Sequence, residues 1–106
     1  MNTSDLNSIP LARVSDIPTD RALCVSAGER DLALFLLDGE VYALDNECPH
    51  KGGPLGEGVV ENGCVLCPLH GWAFDVKTGV CADKPNRPAT RIPVHVVDGQ
   101  VFLRLP

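Results

Sequence analysis

An all-β fold, a small antiparallel sandwich or barrel, is predicted by three features of the 106-residue sequence. Turn dipeptides of the Asp-Gly and Asn-Gly kind recur along the chain, the segments between them are short apolar runs, and no long stretch carries helical periodicity. Residues 22–26 read as a short strand. Residues 32–37 and 40–44 flank Asp38-Gly39, a strong hairpin signal. Residues 64–66 follow Asn62-Gly63, a turn of the same kind, and residues 73–76 precede Thr78-Gly79. At the end of the chain, residues 92–97 and 100–105 flank Asp98-Gly99. Residues 14–17 are expected to form one helical turn before Pro18, with Ser15 as its cap. Residues 83–88, with two prolines and an asparagine, read as a loop. There is no internal repeat, and residues 1–106 are read as one domain.

Composition narrows the function. The net charge of −5 argues against nucleic acid as a partner, because phosphate binding needs a basic surface. The longest apolar run, residues 32–37, is far short of the roughly 20 residues that span a bilayer. The start of the chain shows no basic segment followed by an apolar one. The expected setting is therefore soluble and cytoplasmic, with no membrane partner. Five cysteines, an odd number, do not suggest a disulfide framework. Clustered Cys and His in a reducing compartment point instead to metal or redox chemistry.

Two stretches break the strand pattern: Cys48-Pro49-His50-Lys51-Gly52-Gly53-Pro54 and Cys67-Pro68-Leu69-His70-Gly71-Trp72. Proline after each cysteine fixes φ and removes an N–H, stiffening the loop. Glycine permits positive φ and close backbone approach. Cys48, His50, Cys67 and His70 are the candidate metal ligands, spaced C-x-H and C-x2-H on two loops. Zinc also takes two Cys and two His, but usually from C-x2–4-C and H-x3–5-H pairs, so a C-x-H pair is an unusual zinc ligand set. No nucleophile–base pair, phosphate loop or paired acid is visible, so no catalytic residue is assigned.

With these spacings the chain resembles the Rieske [2Fe–2S] family. Leu55, Gly58, Phe74-Asp75 and Thr78-Gly79 resemble the flanks of soluble Rieske ferredoxins, and the resemblance runs from about Val14 to Leu105. It implies one [2Fe–2S] cluster per chain, held by loops at about residues 48–55 and 67–72 at one end of the β domain. Cys48 and Cys67 would bind one iron, His50 and His70 the other. Imidazoles add no negative charge where thiolates do, so such a cluster accepts an electron more readily than a four-Cys one. High-potential members have a further Cys in each loop and a Ser after the second His. Gly53, Leu69 and Trp72 stand at those positions, which implies a potential at the low end of the range, about −150 mV.

The implied role is a one-electron carrier between a flavin-containing reductase and a large terminal oxidoreductase. Cys48-Pro49-His50-Lys51, Lys51-Gly52-Gly53-Pro54-Leu55 and Cys67-Pro68-Leu69-His70 lean toward the small subunit of assimilatory nitrite reductase. The alternative is the shuttling ferredoxin of an aromatic-ring dioxygenase. Leu69 and Pro54 are expected to rim the exposed histidines as a docking face, with Lys51 beside it. Cys64, Cys24 and Cys81 are read as buried strand thiols rather than redox groups. His95 alternates with Val94 and Val96 and is read as a surface histidine. Trp72 suits either packing beneath the second loop or the docking face.

Overall fold

The computed structural model describes residues 8–28, 30–48, 53–69 and 71–104. Among the described residues, nine strands form three antiparallel three-stranded sheets: β1 (Ser8–Arg13), β2 (Leu23–Ala27), β3 (Arg30–Leu37), β4 (Glu40–Asp45), β5 (Val59–Glu61), β6 (Cys64–Leu66), β7 (Ala73–Asp75), β8 (Val94–Val97) and β9 (Gln100–Arg104). The sheet orders are β1-β9-β8, β2-β3-β4 and β5-β6-β7. The all-β expectation is met, and the described residues include no α-helix.

Local chemistry explains the hairpins. Asp38 and Gly39 have φ of 52° and 80°, Asn62 and Gly63 51° and 77°, and Asp98 and Gly99 50° and 77°. Two successive positive φ values define the tight turn whose twist matches that of paired strands. The turns set the registers Leu37↔Glu40, Glu61↔Cys64 and Val97↔Gln100. Thr78-Gly79 works differently. Asp75 Oδ1 accepts the N–H groups of Lys77 and Thr78 at 2.8 and 3.1 Å, and Gly79, at φ 81°, donates to the Asp75 carbonyl at 2.7 Å.

The central sheet is apolar on both faces. Leu32, Leu34 and Ala43 join Ile17, Ile92, Val101 and Leu103 in one core. Ala33, Phe35 and Leu44, on the opposite face, join Leu55, Val65, Phe74, Val76 and Cys81 in the other. Period-two alternation along β3 therefore feeds two cores at once, and the β2-β3-β4 sheet is the middle layer. Cys48 and Cys67 belong to the second of these cores, so it is the one that carries the two Gly/Pro loops.

Several expectations need correction. The helical turn is a 3₁₀ turn over Val14–Asp16, and its tie is Asp16, whose carboxylate accepts the Arg13 N–H at 3.1 Å, rather than Ser15. Asp16 is the residue that reaches back over the start of the turn. Strand β8 begins at Val94 because Pro93 precedes it, and β7 ends at Asp75 because its side chain opens the following turn. Strands β1 and β5 and the 3₁₀ turn Leu55–Glu57 have no counterpart in the sequence reading. Strand β1 contains Pro10, has a register shift between Pro10 and Ala12, and pairs with the distant β9.

His95 lies opposite Val94 in parity, as expected, yet it is half-buried rather than a free surface group. Its ring stacks on Phe102, with centroids 5.4 Å apart, and Nδ1 is buried without a hydrogen-bond partner. Cys24 is exposed rather than buried. It points opposite to Leu23 and Val25 on the edge strand β2. Cys81 is fully buried, and Cys64 is half-buried.

Candidate cluster-binding site

Each Gly/Pro loop grows from a strand and closes on itself in the same way. The Cys48 N–H donates to the Gly53 carbonyl at 2.8 Å, and the Cys67 N–H donates to the Trp72 carbonyl at 2.9 Å. Both spans run from residue i to i+5, so each cysteine opens a loop of equal length. In the second loop Gly71, at φ 71°, also donates to the Cys67 carbonyl at 2.8 Å. An isolated bridge between Glu47 and Pro54 extends the stem of the first loop.

The two loops touch. A Cβ on Gly53 would lie 2.9 Å from Cys67 Sγ and 2.9 Å from Leu69 Cγ. Only glycine lets the first loop pack this closely on the cysteine of the second. Cys48 and Cys67 are 1% and 2% exposed, so both thiols lie at the floor of the loops, within the apolar core. Two buried sulfur donors on facing loops fit the thiolate half of a Cys2His2 iron–sulfur site. The structure thus places Cys48 and Cys67 in one buried core, beneath two loops that touch at Gly53 and Cys67. His50 and His70, with Lys51, lie outside the described residues.

Around this floor Leu69 is 53% exposed, Pro54 is partly exposed, and Trp72 is half-buried and packed against the core. The Cys64-x-x-Cys67 pair does not form a thioredoxin-type site, since Cys64 lies within β6 and the next element among the described residues is strand β7. Burial, and then the Asp75 carboxylate, push the Cys64 thiol up from its ordinary pKa, which disfavours a reactive thiolate. Burial, then Asp31 and Glu57, do the same for Cys24.

Two supporting residues escaped the sequence reading. Asn46 Oδ1 accepts the Gly56 N–H at 2.6 Å while its carbonyl accepts the Leu55 N–H at 2.7 Å. Asp83 Oδ2 accepts the Ala73 N–H at 3.1 Å, one residue beyond the second loop. The signal for Asn46 was an Asx residue at a strand end, a type suited to local backbone bonds. The Asp83 bond joins residues ten apart and leaves no sequence trace.

Comparison with known proteins agrees with this arrangement. The family model of the Rieske [2Fe–2S] domain matches residues 7–97. The anthranilate 1,2-dioxygenase ferredoxin subunit of Burkholderia cepacia is 37% identical over 93 residues, which is 87% of this chain and 86% of that protein. The structure of the Sphingomonas yanoikuyae B1 ferredoxin superposes with a TM-score of 0.85 at 31% identity, covering 94% of this chain and all of that one. A structure assigned as a nitrite reductase NADPH small subunit superposes with a TM-score of 0.78 at 27% identity, covering 91% and 96% of the two chains. A matching domain model over most of the chain, on a β scaffold that sets two buried thiols on facing loops, leads to one conclusion: this chain belongs to the Rieske [2Fe–2S] domain family, binds that cluster and carries single electrons with it.

Proposed function

We propose that this protein is the ferredoxin of an aromatic-ring dioxygenase system, passing electrons one at a time from a flavin-containing reductase to the oxygenase. The observation that carries this reading is the 37% identity to a dioxygenase ferredoxin subunit across nearly the full length of both chains. Cys48 and Cys67 are the ligands of one iron, His50 and His70 of the other. Burial of both cysteines and their matched loop closures support the first pair. The resemblance at C-x-H and C-x2-H supports the second. The bound cluster supplies the one-electron couple. The chain's own residues hold it, exclude water from the thiolate side and present the histidine edge to partners. On this reading the chain has no catalytic site of its own, and the substrate is oxidised on the partner. The setting is cytoplasmic, in keeping with Cys/His metal chemistry in a reducing compartment.

The test is reconstitution. Reduced protein is mixed with a dioxygenase oxygenase component, and cluster reoxidation is followed by absorbance. Rapid single-exponential reoxidation is expected. No electron transfer to any dioxygenase component, together with transfer to a siroheme nitrite reductase subunit, would refute the dioxygenase assignment. That second reading has its own support in the 27% identical nitrite reductase-like structure and in the Lys51–Leu55 segment of the sequence. The ligand set is checked separately: Cys67→Ser and His70→Ala are each expected to lose iron and acid-labile sulfide.

A further inference from the structure

The 3₁₀ turn Leu55–Glu57 follows the first loop directly, and its opening is buried, with Leu55 and Gly56 both inside the protein. The first N–H groups of any helical turn have no partner within it. Here Glu57 donates to the Pro54 carbonyl at 3.0 Å and Gly58 to the Leu55 carbonyl at 3.0 Å, which leaves the N–H groups of Leu55 and Gly56 unserved by the turn. Pro54, at the cap position, offers no side-chain acceptor. Both N–H groups are taken by one residue on the other side of the loop. The Asn46 carbonyl accepts Leu55 and its Oδ1 accepts Gly56.

Asn46 is itself anchored, since its N–H donates to the Asp31 carbonyl on β3 at 3.0 Å. It therefore ties three pieces together: the central sheet, the outgoing strand of the loop and the returning turn. The fit is close. A Cβ on Gly56 would lie 2.5 Å from Asn46 Oδ1 and 2.7 Å from Cys24 Cβ. Cys48 follows two residues later and sits on the stem that this clamp closes.

We infer that Asn46 is a positioning residue of the cluster, acting as a cap in trans on the 3₁₀ turn and so setting where Cys48 and the first loop stand relative to the second. The inference rests on the reading that the first loop carries cluster ligands. It assigns Asn46 no contact with the cluster. Asn46→Asp keeps the shape and the acceptor. Asn46→Leu keeps the approximate shape and removes the acceptor.

Holo-protein of both variants and of the unaltered chain is compared by EPR of the reduced cluster and by amide hydrogen exchange at Gly56. The expected result for Asn46→Leu is loss of Gly56 protection by tenfold or more and a broadened or shifted EPR signal, with protection of β3 and β9 amides unchanged. Asn46→Asp restores both the Gly56 protection and the signal shape. An unchanged EPR signal in Asn46→Leu with Gly56 exposed to exchange overturns the positioning role. If Asn46→Leu does not fold, exchange in the unaltered holo-protein decides: a Gly56 amide that exchanges as fast as the turn residue Gly39 overturns the inference, and a protected one sustains it. Cys48→Ser is run alongside. Full iron and sulfide content in that variant refutes the ligand reading itself, an outcome distinct from any behaviour of Asn46.

Discussion

Gly53 and Cys24 show how much a single position decides. Gly53 is not among the positive-φ residues, so alanine there strains no backbone and adds only a methyl group. That methyl would stand 2.9 Å from Cys67 Sγ and from the Leu69 side chain. Gly53→Ala is therefore expected to keep the fold and lower cluster occupancy, read as iron and sulfide per chain. Occupancy equal to that of the unaltered protein would mean that the loops yield more easily than their packing suggests. Cys24 is exposed, but burial and the neighbouring carboxylates of Asp31 and Glu57 raise its pKa. A raised thiol pKa holds the neutral form through neutral pH. Alkylation of Cys24 by iodoacetamide should thus be slower at pH 8 than that of a free cysteine peptide, the gap closing only at higher pH. The linked stability contribution is fully present below the ordinary thiol pKa and is lost as pH rises through the folded value. Faster alkylation than the peptide would contradict this.

At the level of elements, the hairpin turns and the short strand β7 matter most. Gly39 at φ 80° sits where an L-residue costs roughly 1–2 kcal/mol, so Gly39→Ala should lower stability by about that amount in urea unfolding. The cost falls on the β3–β4 hairpin and leaves the cluster loops in place. Strand β7 is only three residues long, and Phe74 within it is fully buried in the core that also holds Cys48 and Cys67. Phe74→Ala is expected to cost about 3–5 kcal/mol. Against a domain stability of roughly 5–15 kcal/mol, that is enough to loosen the floor beneath both cysteines. Calorimetry should show the loss, and cluster release on warming should move with it. Asn46 clamps the turn Leu55–Glu57 to the stem of the first loop. Removing its acceptor leaves a buried N–H unpaired, at a cost of about 1–3 kcal/mol.

For the molecule as a whole, the proposed carrier role requires the two Gly/Pro loops to meet other proteins. Leu69 is half exposed on the second loop, two residues after Cys67, and an apolar rim there suits brief close contact with successive partners. Leu69→Asp is expected to slow electron transfer to the proposed oxygenase partner about tenfold or more, with the EPR signal unchanged. An unaltered rate would place the docking face elsewhere. Gly53, Leu69 and Trp72 bring neither a disulfide nor a hydroxyl to the loops, so fewer groups stabilise the reduced cluster. Redox titration should give a value near the low end of the Rieske range, about −150 mV. A clearly positive midpoint would contradict the assignment to this low-potential group.

Local patterns in the sequence determined the class of fold, four of the turns, most of the strands and the four residues read as ligands. Asp-Gly and Asn-Gly dictate their own backbone, and ligand spacing is a property of neighbouring residues. What tertiary structure decided was everything set by partners distant in the chain. Strand β1 exists because β9 comes to lie beside it, and β5 is too short for its periodicity to show. His95 is half-buried because Phe102, opposite it on β9, covers its ring, and Cys24 is exposed on the edge strand β2, on the face away from Leu23 and Val25. Asn46 and Asp83 hold the bases of the two loops through bonds to residues ten positions away. A single sequence records residue types and short spacings. It does not record which buried N–H lacks a partner until the chain has folded around it.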